Sequence, residues 1–144
     1  MINNKLEIKL SNPPNIDKIK AKFQLHEGVV FCYGSTLYNP NNGQIDDFIL
    51  CHEEVHCGQQ GDNPEEWWDK YLNDKEFRLS QELEAYSAQY QFAKDKQKEG
   101  LIKAKTIDKI LDKLALTLSS KIYGEILTFG QAKSKIRNYA KKKN

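Results

Sequence analysis

Two histidines flank a pair of carboxylates in the stretch CHEEVHC, residues 51–57. His52 and His56 lie four residues apart, so on an α-helix they share one face, about 6 Å apart along the axis. Two imidazoles placed in this way can bind one metal ion. Glu53 lies about 100° around the helix from His52, close enough to accept a proton from a group held by that ion. The spacing predicts metal-assisted hydrolysis, with Zn²⁺ as the metal.

A catalytic zinc needs a third protein ligand beside an open position. The remaining histidine, His26, lies upstream in a predicted loop. Glu82 and Glu84 lie two residues apart on a later predicted helix, so they point to different sides and only one of them can face the metal. Asp62 has the spacing of a different zinc-peptidase pattern, but Gln59 stands where that pattern has its turn glycine. The spacing favours a carboxylate and leaves these three open.

The combination of two motifs resembles the gluzincins, the zinc peptidases whose third ligand is a glutamate. His52-Glu53-x-x-His56 is followed by Glu82-x-x-Ala85, a pattern similar to that of thermolysin-like and CAAX-prenyl-protease-like enzymes. The resemblance covers residues 30–93. It implies that His52, His56 and Glu82 bind zinc and that Glu53 is the catalytic base.

The resemblance also implies residues that contact the substrate. Thr36, Leu37 and Tyr38 would form an edge strand on which an extended peptide adds through main-chain hydrogen bonds. The candidates for stabilising the oxyanion are Tyr86, Tyr90 and His26. Tyr86 stands where many of these families have an aspartate that orients a ligand histidine, so the hydrogen-bond acceptor for the histidines is unassigned.

These residues require a framework of short strands followed by helices. Strands are predicted over residues 5–10, 28–33 and 36–38, and a turn over residues 39–43. In the first half of the chain, helices are predicted over residues 16–24, from Ile45 to an end marked by Gly58 and Gly61, and from Asn63 to Leu72. In the second half they are predicted over residues 79–98, from an N-cap at Thr106 to Leu118, and after Thr128.

This order of elements predicts an α+β fold, a small N-terminal β-strand region packed on a mainly helical, zincin-like core. A length of 144 residues suits one domain. Within that single domain, 1–144, we expect a strand-rich region over 1–44, zinc-binding helices over 45–98 and C-terminal helices over 99–144.

Composition excludes several classes of protein. Hydrophobic residues make up 39% and charged residues 29% of the chain, and no apolar run approaches the roughly 20 residues that span a bilayer. The N-terminal stretch lacks the apolar segment of a secretory signal, so we expect a cytoplasmic protein without membrane contact. Three cysteines, Cys32, Cys51 and Cys57, are few for a disulfide scaffold and are interpreted as free thiols.

Residues 133–144 form a basic end, with six lysines and arginines and no acid. Cations suit a helix C-terminus, and a single aromatic residue does not make a stacking groove, so nucleic-acid binding is disfavoured. The function expected is zinc-dependent hydrolysis of a peptide bond in a peptide or protein substrate. The alternative is an inactive zinc-containing binding or assembly module, for instance of a virus. The oligomeric state is not predicted.

Overall fold

The structure, a computed structural model, describes the backbone of residues 6–143 and the side chains of residues 6–139. Lys5 of the first predicted strand, the side chains of residues 141–143 in the basic end, and Asn144 lie outside this description. Within it the fold is α+β, as predicted. The chain consists of two compact units, residues 1–74 and residues 75–144. The zincin-like core and the single-domain organisation stay predictions.

The first unit contains all three strands. Its elements are β1 Glu7–Lys9, α1 Ile16–Lys22, β2 Phe31–Tyr33, β3 Thr36–Tyr38, α2 Asp47–Gln60 and α3 Pro64–Asn73. β2 and β3 form an antiparallel hairpin in which Cys32 lies opposite Leu37. Gly34 is the first residue of the two-residue turn between them. Its φ of 65° is a backbone conformation that favours glycine.

The prediction that Thr36–Tyr38 forms an edge strand is wrong. The strand order is β1-β3-β2, so β3 lies in the centre of the sheet, with β1 parallel to it and β2 antiparallel. Pairing on both sides uses the main-chain groups that an added peptide would need. The sequence missed this because β1 is a distant segment, and its pairing with β3 has no local signal.

Capping residues set the ends of the two helices that follow the sheet. The Asp46 carboxylate accepts a hydrogen bond from the Ile49 amide at 2.8 Å at the start of α2, and Gly61, at a φ of 56°, ends it. Gly58, expected to help close α2, lies inside the helix. At the start of α3 the Asn63 side chain accepts from the Glu66 amide at 3.1 Å, with Pro64 in the first turn, as predicted.

The described residues of the second unit form helices and the turns that join them, and no strand. α4 spans Lys75–Lys98, α5 spans Ala104–Leu118, a 3₁₀ turn spans Lys121–Tyr123 and α6 spans Phe129–Lys143. The three α-helices pack against one another in pairs. Their core is mainly aliphatic, with two buried tyrosines, and is formed by Ala85, Tyr90, Ala93, Ile107, Leu111, Leu114, Ala115, Leu118, Tyr123, Leu127, Ala132 and Ile136.

Two helix starts in this unit differ from the sequence-based expectation. α4 begins at Lys75 and not at Leu79. The start was predicted too late because Phe77 is the single apolar residue before Leu79 in this helix, which is too little to show a helical period. α5 begins at Ala104, so Thr106 lies in the first turn and its amide donates to the Lys103 carbonyl at 3.0 Å. None of the helices in residues 6–143 combines the length and the apolar character needed to cross a membrane.

Candidate metal centre

Helix α2 presents His52 and His56 with their Nε2 atoms facing each other. The two nitrogens are 3.0 Å apart. Two imidazoles that share one tetrahedral zinc at 2.0–2.1 Å hold their nitrogens about 3.3 Å apart. Without a cation, one Nε2–H can donate to the other Nε2. The separation therefore fits a shared metal ion, which would replace that hydrogen bond.

A carboxylate completes this group. Each of His52, His56 and Glu82 offers one ligand atom, and these three atoms lie within 4.8 Å of one another. His56 and Glu82 are buried, with 6% and 3% of their surfaces exposed. Two imidazoles and one carboxylate are a donor set that zinc accepts in catalytic sites. The three residues named by the gluzincin resemblance could thus bind a metal ion.

The ring of His56 is restrained by its own helix and by α3. Its Nδ1 lies 2.8 Å from Oε1 of Gln59, one turn later in α2. Its centroid lies 5.4 Å from that of Trp67 and 6.3 Å from that of Tyr71, and those two aromatic rings stack on each other at 4.9 Å. These contacts define the orientation of the imidazole before any metal binds.

Glu53 lies beside the two histidines and is largely withdrawn from water, with 8% of its surface exposed. Its Oε2 is 3.8 Å from Nε2 of His52. A carboxylate this close to a proposed ligand nitrogen would also lie near water held by an ion at that nitrogen, and it could accept a proton from that water as a general base does.

The C-terminal end of α2 is tied to the β2–β3 hairpin by one amide side chain. Gln60 accepts from the Gly34 amide at 2.7 Å and donates to the Cys32 carbonyl at 2.7 Å. The Trp68 indole of α3 donates to the same carbonyl at 3.1 Å. Both bonds to the Cys32 carbonyl engage a main-chain acceptor of β2 that another strand could otherwise use.

The interpretation of all three cysteines as free thiols is wrong for two of them. Cys32 in β2 and Cys57 in α2 form a disulfide, with Cα atoms 6.0 Å apart. Spacing along the chain gives no signal for it, because the hairpin and the helix meet only in the folded unit. Disulfides persist mainly in oxidising compartments, so the bond weighs against a cytoplasmic setting, which stays a prediction.

Cys51 is the free cysteine of the described chain. Burial, followed by the nearby Glu54 carboxylate, raises the pKa of Cys51 to about 11. Its side chain is therefore a thiol at neutral pH in the metal-free protein.

The alternative carboxylate ligands lie elsewhere. Asp62 is exposed, just beyond the end of α2. Glu84 is half-buried and accepts a hydrogen bond from the Tyr139 hydroxyl at 3.2 Å. In the part of the chain that the structure describes, neither joins a group of three potential metal ligands.

The three oxyanion candidates have different surroundings. The Tyr86 hydroxyl lies 3.2 Å from that of Tyr123. Tyr90 is buried, and Nζ of Lys94 lies 5.5 Å from its ring centroid. His26 is exposed, with Nδ1 2.8 Å from the Glu27 carbonyl. Nothing in these contacts tests a role in stabilising an oxyanion, which stays a prediction for each.

Two glutamines that hold α2 and its histidine were missed in the sequence. Gln59 follows His56 by three residues, a spacing that places both on one face of a helix, so the signal for this pair was present. Gln60 has no such signal, because its partners belong to the hairpin 26 and 28 residues earlier.

No protein-family model, curated protein or solved structure matches this chain. The gluzincin resemblance therefore rests on the residues themselves, and the activity that it implies stays a prediction.

Proposed function

We propose that the protein is a zinc-dependent peptidase of gluzincin type. The observation that carries the proposal is the group His52, His56 and Glu82, with ligand atoms within 4.8 Å of one another. Glu53, next to His52 in the same helix, adds the base that hydrolysis requires. A structural site would need no such carboxylate and would close its coordination with a fourth protein ligand.

The residues of the chain divide the work. His52, His56 and Glu82 would hold the zinc, which when bound lowers the pKa of water and polarises a carbonyl group. Glu53 would take a proton from the attacking water and pass it to the nitrogen of the leaving amine. The burial of Glu53 limits competing water around it.

The test compares two adjacent glutamates. Elemental analysis of the purified protein should find about one zinc per chain. Glu53→Gln should keep the zinc and the fold but abolish cleavage of a mixed peptide library, because the amide keeps the shape and loses the basicity. Glu54→Gln, the matched control on the same helix, should cleave like the parent.

The outcomes separate the enzyme from its alternative. Equal cleavage by the parent and by Glu53→Gln would remove Glu53 from the mechanism. A protein that contains zinc but cleaves no peptide in the library would favour the inactive binding or assembly module. Purified protein that neither contains nor takes up zinc would contradict both.

A further inference from the structure

We propose that Gln59 is a positioning residue that orients His56 for metal binding and selects its tautomer. The inference rests on the proposed metal centre and deepens it. It assigns the acceptor that the sequence left open, since Tyr86 stands where an aspartate is expected and its hydroxyl lies 3.2 Å from that of Tyr123.

The tautomer follows from the chemistry of the two partners. The Gln59 Oε1 atom can only accept a hydrogen bond, and it lies 2.8 Å from Nδ1 of His56. Nδ1 must therefore carry the hydrogen. A neutral imidazole has one N–H, so Nε2 keeps its lone pair, and this is the atom that faces Nε2 of His52 at 3.0 Å. The ligand nitrogen is thus prepared for a cation.

The geometry of α2 makes this contact a local one. Gln59 follows His56 by three residues, so the two side chains meet on one face without the help of another element. Trp67 and Tyr71 restrict the imidazole by packing against it, whereas Gln59 distinguishes the two ends of the ring. Packing alone would tolerate a ring flip that exchanges carbon and nitrogen positions.

A neutral amide has a different effect from a carboxylate. Partners that hydrogen-bond the far nitrogen of a ligand histidine raise its basicity, and their loss costs about 10–100-fold in metal affinity. An amide oxygen orients the ring but polarises it less than a charged acceptor does. Gln59→Glu should therefore match or exceed the zinc affinity of the parent.

The experiment measures zinc affinity of the full chain by competition with a chromophoric chelator. Gln59→Leu removes the acceptor at nearly constant volume, and Gln59→Met repeats the removal with a flexible side chain. Gln91→Leu, a half-buried glutamine of α4 that donates to Asp95 at 2.9 Å, is the matched control. Cobalt substitution adds a spectroscopic signature, since the visible absorption of Co²⁺ reports its ligand geometry.

The expected result is a 10–100-fold loss of zinc affinity in Gln59→Leu and Gln59→Met, with an altered cobalt spectrum. Gln59→Glu and Gln91→Leu should bind zinc at least as well as the parent. Thermal unfolding of the metal-free proteins should be similar, because the contact orients a ring and does not support the core.

Two results would overturn the inference alone. In the first, Gln59→Leu and Gln59→Met bind zinc like the parent. In the second, Gln59→Glu binds zinc as weakly as Gln59→Leu, which would show that the shape of the amide matters and not its hydrogen-bond acceptor. If the parent itself binds no zinc, the proposed function fails, and this inference fails with it.

Discussion

The two units of the chain differ in charge. Residues 1–74 carry six lysines against twelve acids, a net charge of −6, whereas residues 75–144 carry sixteen lysines and arginines against eight acids, a net charge of +8. The near-neutral total of +2 conceals this division. The negative charge of the first unit, which carries His52 and His56, attracts cations, whereas the positive charge of the second, which carries Glu82, does not.

The two units also differ in what holds them together. The second is a set of three helices around mainly aliphatic side chains, the kind of core that tolerates exchange among apolar residues of similar volume. The first has short elements and relies on specific links at Cys32, which joins Cys57 through a disulfide and accepts hydrogen bonds from Gln60 and Trp68. The first unit therefore depends on links between distant segments.

The sharpest test uses two carboxylates on α4 that belong to different networks. Glu82→Ala removes one of three proposed ligands, whereas Glu84→Ala removes a carboxylate that accepts from Tyr139. Full zinc sites contribute about 10–16 kcal/mol, so one ligand is on the order of 4 kcal/mol, or about 1000-fold in affinity. We expect that loss for Glu82→Ala in a zinc titration, and none for Glu84→Ala or Asp62→Ala.

A titration in which Glu84→Ala or Asp62→Ala is the damaging change would show that the gluzincin ligand set is wrong. His52 and His56 could still bind the metal in that case, and a double variant of the two histidines would decide whether they do.

The second prediction concerns the disulfide of the first unit. Cys57→Ser opens a loop of 25 residues, which should lower the free energy of unfolding by about 3–4 kcal/mol in the chain-entropy account. Both tryptophans, Trp67 and Trp68, lie in this unit, so their fluorescence in a denaturant titration reports its unfolding. Cys51→Ser is the control, since Cys51 forms no disulfide.

The outcome that contradicts this prediction is an unchanged fluorescence midpoint for Cys57→Ser under oxidising conditions. If reduction of the parent shifts its midpoint as much as Cys57→Ser does, the loss of stability comes from the missing disulfide and not from the serine.

The smallest expected effect lies in the second unit and depends on pH. Burial, followed by the Glu84 carboxylate, raises the pKa of Tyr139 above its usual 10.0. The folded state therefore holds this proton more tightly than the unfolded state does. The resulting contribution to the free energy of unfolding is present below pH 10 and is lost as the pH rises through the folded pKa. Solvent screening keeps it below about 1 kcal/mol.

Tyr139→Phe removes both the hydroxyl and its titration. Between about pH 9 and pH 11 the free energy of unfolding of this variant should fall slightly less than that of the parent. Denaturant titrations followed by far-ultraviolet circular dichroism measure both. A larger alkaline loss in Tyr139→Phe would show that the sign of the shift is wrong.

Local signals in the sequence were sufficient for much of this protein. The α+β class, α2 with its histidines on one face, and the Asn63-Pro64 start of α3 follow from periodicity and capping, which act within a few residues. The Gln59 contact was not predicted, although its spacing of three residues is also a local signal. A carboxylate as third ligand was likewise expected, because one histidine remained and it lay in a loop.

Tertiary structure decided what depends on distant segments. The position of β3 at the centre of the sheet, the disulfide between Cys32 and Cys57, and the bonds from Gln60 to the hairpin all join residues at least 25 positions apart. Such pairings depend on which surfaces meet when the chain collapses, and the side chains concerned have no local partner that reveals them. The sequence alone determined the residues suited to binding a metal, whereas the fold determined how their helix is held.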